Sequence, residues 1–255
     1  MNVVNGAGPD QPFFDGETGL SANLAASLTA SLASDGWARA TGALSPALVT
    51  ALRDEAIRLD AASVTKDAGV GRGADYQQDR NIRRTRITWL DGSSPVQIAF
   101  LRYCETLRQA MNRELFAGLQ SFEAHYAIYP PGGHYTRHLD AFAHPSRPAG
   151  ERPIRGHTPK NRVMSLVCYL NEAWDEADGG TLALWDHVPV DPTSGQTMLA
   201  ALDRIPPTAV IQPRGGDILL MRSEAIPHEV RETIRTRYGI AGWWRIAPSA
   251  ADLVF

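Results

Sequence analysis

His138-Leu139-Asp140 closes a stretch that begins Tyr129-Pro130-Pro131-Gly132-Gly133-His134-Tyr135-Thr136-Arg137. In an extended chain, side chains two apart point to one face. The imidazole at 138 and the carboxylate at 140 therefore project together, close enough to share one metal ion. A third donor, His228, stands far downstream in Ile226-Pro227-His228-Glu229-Val230. Two imidazoles and one carboxylate on one face of a metal suit Fe(II) and leave other positions open. Alone, the His-x-Asp pair is a weak signal, because a buried histidine bonded to a carboxylate is common. His134 shares the alternation of His138 and Asp140 and is a rival ligand. His125 is expected to be structural. His144, His157 and His187 lie in loop-like stretches where solvated side chains are expected.

Arg237 strengthens the metal reading. It lies in Thr236-Arg237-Tyr238-Gly239-Ile240-Ala241-Gly242-Trp243-Trp244, an apolar and aromatic segment. A guanidinium in such a strand needs an anionic partner, since an unpaired buried charge is very costly. An internal Asp or Glu would serve. So would a small dicarboxylate held by the guanidinium fork. 2-Oxoglutarate fits, because its 2-oxo acid end can chelate iron while its far carboxylate reaches the arginine.

These residues need elements to hold them. Ser21 is placed to cap a helix running to Ser34, with Leu24, Leu28 and Leu32 on one stripe and Gly36 as its stop. Trp37 to Leu44 reads as a short strand. Ser45-Pro46 and Ser94-Pro95 each combine a cap with proline at the first helical position. The second of these helices repeats Ile98, Leu101, Cys104, Leu107, Met111 and Leu115 at helical spacing and heads for Phe116. Arg86 to Leu90 alternates like a strand. From Phe122 onward strands are expected at 122–129, 134–139, 162–170, 180–185, 208–212, 217–222, 227–231 and 236–246. Many short strands with Gly/Pro turns imply a sandwich or barrel, here with a helical layer behind it. Residues 63–85, 143–161 and 186–207 read as long loops, with a helical turn at Met198 to Leu202. Met1 to Gly19 reads as a flexible lead-in, with Phe13-Phe14 able to pack on the body.

Composition removes several function classes. The chain has 255 residues and a net charge of −3, so nothing global favours nucleic acid or an anionic membrane as partner. No apolar run is long enough to span a bilayer. The first residues lack the basic-then-apolar order of a secretory signal. Cys104 and Cys168 fall in apolar runs and are expected as free buried thiols, which fits a reducing cytoplasm.

The chain resembles the Fe(II)- and 2-oxoglutarate-dependent dioxygenases. Within them it is most similar to prolyl hydroxylases of the hypoxia-inducible-factor type and their bacterial relatives. The resemblance is carried by Tyr129-Pro130-Pro131-Gly132, Tyr135-x-Arg137-His138-x-Asp140, Arg162 through Tyr169-Leu170-Asn171-x-x-Trp174, Gly179-Gly180, Pro227-His228-Glu229-Val230 and Arg237-Tyr238 through Trp243. Leu107 to Asn112 and Tyr129 to Gly132 look especially like the bacterial branch. The resemblance implies a double-stranded β-helix, a jelly-roll or cupin-like barrel with its site inside the mouth. It divides the chain into a lead-in at 1–19 and one dioxygenase domain at 20–255, with helical support over 20–120 and the barrel core over 121–248.

The roles it implies are specific. His138, Asp140 and His228 bind Fe(II). Arg237 and the Tyr169 hydroxyl hold the distal carboxylate of 2-oxoglutarate, and Tyr129 lies beside both iron and co-substrate. Tyr135 and Trp243 line the place of a target proline, and Arg162 belongs to the substrate side. O₂ is the second co-substrate and ascorbate an accessory reductant. The carboxylate at 140 weighs against halogenation, since halogenating relatives carry a small residue there.

One region departs from the family. A loop aspartate is expected to pair with the arginine corresponding to Arg162, but the matching stretch here is Ile82-Arg83-Arg84-Thr85. Arg162 is therefore expected to lack its usual partner. Arg72, Arg80, Arg83, Arg84 and Arg86 make this a basic loop, either solvated or a lid for a different substrate. The reading is a cytoplasmic hydroxylase of a prolyl residue in a protein, with a translation factor as candidate target by analogy. Hydroxylation of a free amino acid or other small molecule is the alternative. A non-catalytic metal and 2-oxoglutarate sensor is a third reading, which the complete residue set opposes.

Overall fold

Three serines open the three α-helices of the described residues, and each accepts a hydrogen bond from an otherwise orphaned backbone N–H. The computed structural model describes residues 20–68, 79, 81–141, 162–187, 189–190 and 198–246. The lead-in, the 143–161 loop, Arg72 and Arg80 lie outside them. Helix α1 (Ala22–Asp35) is capped by Ser21 and ends at Gly36, whose φ of 77° suits a residue without a Cβ. Helices α2 (Pro46–Ala61) and α3 (Pro95–Leu115) start with Ser45-Pro46 and Ser94-Pro95. The apolar face of α3 buries Phe100, Tyr103, Cys104, Leu107 and Met111.

The strands are β1 (Trp37–Ala40), β2 (Lys66–Asp67), β3 (Arg86–Trp89), β4 (Ser121–Tyr129), β5 (Tyr135–His138), β6 (Arg162–Tyr169), β7 (Leu182–Leu184), β8 (Ala209–Ile211), β9 (Ile218–Arg222), β10 (His228–Val230) and β11 (Arg237–Arg245). They form a seven-stranded sheet, β1-β9-β6-β11-β4-β3-β2, and a four-stranded sheet, β5-β10-β7-β8. Every strand pair is antiparallel. From β4 onward the chain passes back and forth between the sheets, the winding of a double-stranded β-helix.

Alternation along the strands assigns the two faces of the large sheet. Ala124, Tyr126 and Ile128 of β4, with Ile240 and Trp244 of β11, join the helices in the larger core. At its centre the buried Glu55 of α2 accepts from Gln97 of α3 (2.7 Å) and from the Tyr126 hydroxyl (3.0 Å), tying helices to sheet. Tyr169, Leu219 and Met221 face the other way and pack against Leu182, Leu184 and Ile211 of the small sheet. Cys104 and Cys168 are buried free thiols, and burial pushes both pKa values up.

Two expectations change here. The strand from Trp37 stops at Ala40, because the chain turns at Gly42 (φ 60°), whose N–H is held by the Asp217 carboxylate at 3.0 Å. The 63–85 stretch is not simply a loop. It contains β2, and its end lies along β5: Thr136 donates to the Ile82 carbonyl (2.9 Å) and Arg84 to the His134 carbonyl (3.0 Å). Nor are the described arginines Arg83 and Arg86 of this basic region simply solvated. Arg86 makes a forked ion pair with Asp60 (2.7 and 2.6 Å), and Arg83 lies over the Tyr135 ring at 4.7 Å.

Candidate active site

Strands β5 and β10 bring the two distant histidines together. His138 and His228 are directly opposed across the ladder, with ring centroids 4.3 Å apart. Asp140, just past β5, places one carboxylate oxygen 3.6 Å from His138 Nε2 and the other 3.6 Å from His228 Nε2. The candidate donor atoms of all three lie within 4.8 Å of one another, the dimensions of a site for a single ion. Ala141 donates to the Ser223 carbonyl (3.0 Å), which fixes the chain immediately after Asp140.

Both imidazoles are oriented by the same device. Nδ1–H of His138 donates to the carbonyl of Thr136 (2.8 Å), and Nδ1–H of His228 to that of Ile226 (3.0 Å). Each therefore keeps its Nε2 lone pair for the cluster, the usual arrangement behind a metal-binding histidine. Burial lowers the His228 pKa to about 4, so its imidazole is neutral at physiological pH. Burial would raise the pKa of Asp140, but His228, His138 and the Ser165 hydroxyl outweigh it and hold the carboxyl well below its usual range. A neutral imidazole and an ionised carboxylate are the forms that bind a cation.

His134 is not a member of this cluster. Between the paired positions, three steps of β5 (Tyr135 to His138) match two steps of β10 (His228 to Val230). The extra residue makes a bulge, which reverses the alternation on its far side. Tyr135, rather than His134 or Thr136, thereby turns inward and stacks on His138 (ring centroids 3.6 Å, planes 19° apart). The ring nitrogens of His134 face the carbonyls of Gly132 (3.2 Å) and Asn81 (3.1 Å) instead.

The inner face of β11 presents Arg237, Gly239, Ala241 and Trp243. Arg237 is 2% exposed. Its Nε donates to the Gly180 carbonyl (2.9 Å), and its guanidinium lies 4.8 Å from the Tyr129 ring and 5.3 Å from that of Tyr169. Gly180 (φ 64°) permits this approach, since a Cβ there would stand 3.1 Å from Arg237 Cδ and 2.9 Å from Thr233 Oγ1. No carboxylate partners Arg237 among the described residues. Its Nη2 and the Tyr169 hydroxyl are both buried without a hydrogen-bond partner. Unpaired buried polar groups are rare and costly. A small anion seated here would satisfy both, so the pair fits the distal carboxylate of 2-oxoglutarate as the triad fits an iron ion.

Arg162 has a carboxylate partner from the barrel itself. It is paired with Glu123 of β4, through Nε (2.9 Å) and Nη2 (2.7 Å), and lies over the Trp243 ring at 3.6 Å. Arg245 bonds the same carboxylate at 3.0 Å. The carboxylate expected from a loop is supplied by a barrel strand. Trp89 and His125 extend this wall: the His125 ring stands edge-on to Trp89 (5.1 Å) and 5.4 Å from Trp243. Sequence reasoning passed over Glu123, took His125 as structural only, and passed over Trp89. The signal for the first two was their alternation with Tyr129 along β4, which puts all three on the inner face.

A sequence profile of the 2OG-Fe(II) oxygenase superfamily matches residues 124–245, from β4 to the end of β11. The crystal structure of a prolyl-4-hydroxylase from Pseudomonas putida is 31% identical, with a TM-score of 0.67, over 88% of this chain and 100% of that one. The chain belongs to the 2OG-Fe(II) oxygenase superfamily. A prolyl hydroxylase from Trichoplax adhaerens, solved with a hypoxia-inducible-factor peptide fragment, shares the fold at 21% identity and a TM-score of 0.67, over 88% of this chain and 89% of that one. Human Egl nine homolog 1 is 27% identical over 200 residues, which are 72% of this chain and 38% of that protein. The chain thus spans well under two thirds of the curated relatives it matches. Membership in the 2OG-Fe(II) oxygenases implies Fe(II), 2-oxoglutarate and O₂ as cofactor and co-substrates. Among the described residues no helix is long and apolar enough to cross a membrane.

Proposed function

We propose that this protein is a 2-oxoglutarate- and O₂-dependent hydroxylase of prolyl residues in a protein substrate, working in the cytoplasm. The observation that carries the oxygenase reading is the pairing of two incomplete sites in one barrel. A His-Asp-His cluster holds three donors, and across the cavity Arg237 and Tyr169 leave buried polar atoms unsatisfied. The prolyl substrate is supported by the likeness to the Pseudomonas putida prolyl-4-hydroxylase over that protein's whole length.

His138, Asp140 and His228 would hold Fe(II) through two Nε2 atoms and one carboxylate. When bound, Fe(II) and 2-oxoglutarate supply oxidative hydroxylation of a C–H bond, with succinate and CO₂ as co-products. The protein's own part is to bind, orient and exclude water. Arg237 and Tyr169 anchor the distal carboxylate, and the Tyr129 ring covers the guanidinium. Tyr135 and Trp243 form apolar walls beside the cluster, and Arg162, held flat on Trp243 by Glu123, borders the substrate side. Ascorbate would serve as accessory reductant.

The test is succinate production from purified protein with Fe(II), ascorbate and 2-oxoglutarate, with and without cell extract, followed by peptide mass spectrometry. The expected result is a gain of one oxygen on a proline of a particular protein, translation factors being the first candidates by analogy. Extract-dependent succinate that survives removal of all macromolecules would overturn the protein substrate and favour a small molecule. No succinate under any condition would overturn the hydroxylase.

A further inference from the structure

The outer face of the small sheet carries an assembly that the hydroxylase reading does not use. The bulge that turns Tyr135 and His138 inward turns Arg137 outward. On β10, Glu229 stands between the inward-facing His228 and Val230 and also points out. Arg137 Nη2 meets Glu229 Oε2 at 3.1 Å, so an ion pair ties the two strands one position away from the two histidines. The same guanidinium lies over the Trp185 ring at 4.1 Å, just past β7. Its Nη1 donates to Asp203 Oδ1 (2.7 Å), on a 3-10 helix at Leu199–Arg204.

That helix belongs to the long 186–207 stretch, of which 186–187, 189–190 and 198–207 are described. It does not lie over the barrel mouth. Leu202 is buried against Ala183 and Trp185, with Leu199 and Ile205 beside it, on the outside of the sheet. Trp185 Nε1 donates to the Ile205 carbonyl (2.9 Å), closing the contact. Arg137, on β5, thus touches β10, the end of β7 and the covering helix. Arg137 is 16% and Glu229 21% exposed, so that ion pair is screened less than one at the surface, whereas Asp203 is 71% exposed.

We propose that Arg137 is a positioning residue for the metal site, and that the 198–205 segment is a brace acting through it on His138 and His228 from behind. This rests on the reading of those histidines as metal ligands. Short strands of three and four residues have few ladder bonds to fix them. The relative placement of two opposed imidazoles then depends on what clamps the strands together, and partners behind a ligand shell typically change metal affinity about 10–100-fold.

The test measures Mn(II) dissociation constants for the full chain without oxygen or substrate, in the wild type, R137M, R137K and D203N. Thermal melts of the metal-free proteins run alongside. R137M keeps an unbranched side chain but loses both ion pairs and the cation over the Trp185 ring, and should weaken Mn(II) binding by about ten-fold or more. R137K should recover part of this loss, since one ammonium can meet Glu229 or Asp203 but cannot act as a planar fork. D203N should weaken binding by a smaller factor. A melt that shifts while Mn(II) affinity stays within two-fold of the wild type in both Arg137 variants would overturn the proposal, leaving Arg137 a stabilising residue only. If R137M fails to fold, R137K and D203N decide by the same criterion. A wild type that binds no Mn(II) would instead overturn the ligand reading on which the brace depends.

Discussion

Behind the seven-stranded sheet lie three helices and the larger apolar core. Behind the four-stranded sheet, among the described residues, lie a short 3-10 helix, Trp185 and the Arg137 guanidinium. The first sheet contributes Arg237, Tyr129, Tyr169 and Trp243 from strands of eight and nine residues. The second carries His138 and His228 on strands of four and three residues. One wall is backed by a large apolar core, the other by a small apolar cluster and individual polar contacts. A side chain's importance to stability and its importance to the site should therefore separate by sheet.

Substitutions can break this division. Asp140→Ala should reduce succinate formation to background and abolish Mn(II) binding, while the metal-free protein stays folded by circular dichroism. Retained turnover would move the metal away from the small sheet. Arg237→Ala removes a buried charge that has no carboxylate partner among the described residues. It should raise the half-saturating 2-oxoglutarate concentration by about thirty-fold or more, equivalent to about 2 kcal/mol, with Mn(II) affinity little changed. An unaltered 2-oxoglutarate requirement would exclude the large sheet as its anchor. Leu52→Ala, in α2 behind the large sheet, should cost about 2–5 kcal/mol of unfolding free energy and leave Mn(II) affinity unchanged when measured well below the melting temperature. A parallel loss of metal affinity would show the two walls to be coupled.

The smallest effect is a pH dependence. Burial lowers the His125 pKa to about 3, whereas an unfolded chain protonates it near pH 6.5. The unfolded state thus binds more protons between those values. The stability contributed by this group is complete above about pH 6.5 and is lost as pH falls towards 3. His125→Phe should flatten the acid side of the stability curve of the metal-free protein by up to about 1.4 kcal/mol per pH unit, one proton's worth. An unchanged slope would mean that His125 is protonated in the fold. His228 titrates in the same direction, and Asp140 and Asp60, whose carboxyls are held low, add to the slope that remains.

Helices and strands were legible in the sequence wherever one signal dominated. Ser45-Pro46 and Ser94-Pro95 marked helix starts because cap and proline act locally. The alternation of residues 236–246 marked β11 because one face is apolar throughout. The metal candidates were legible because His-x-Asp and a distant histidine are a recognisable donor set. The phase of His134 misled, because a bulge depends on how β5 pairs with β10 and leaves no local mark. The partner of Arg162 was missed for a similar reason. Glu123 lies 39 positions away and meets it only across the paired strands. The outward face of the small sheet was equally hidden, since Asp203 and Arg137 become neighbours only once the Leu199–Arg204 helix packs behind the small sheet.

The bulge in β5 has a last consequence. An ordinary pleat offers every second side chain to the interior, so positions 135 and 138 could never share it. The spare residue at Thr136 lets a phenol and an imidazole lie flat against each other. Deleting Thr136 would leave the interior one ring or the other, and a chain shortened there would keep its two histidines only by surrendering its tyrosine.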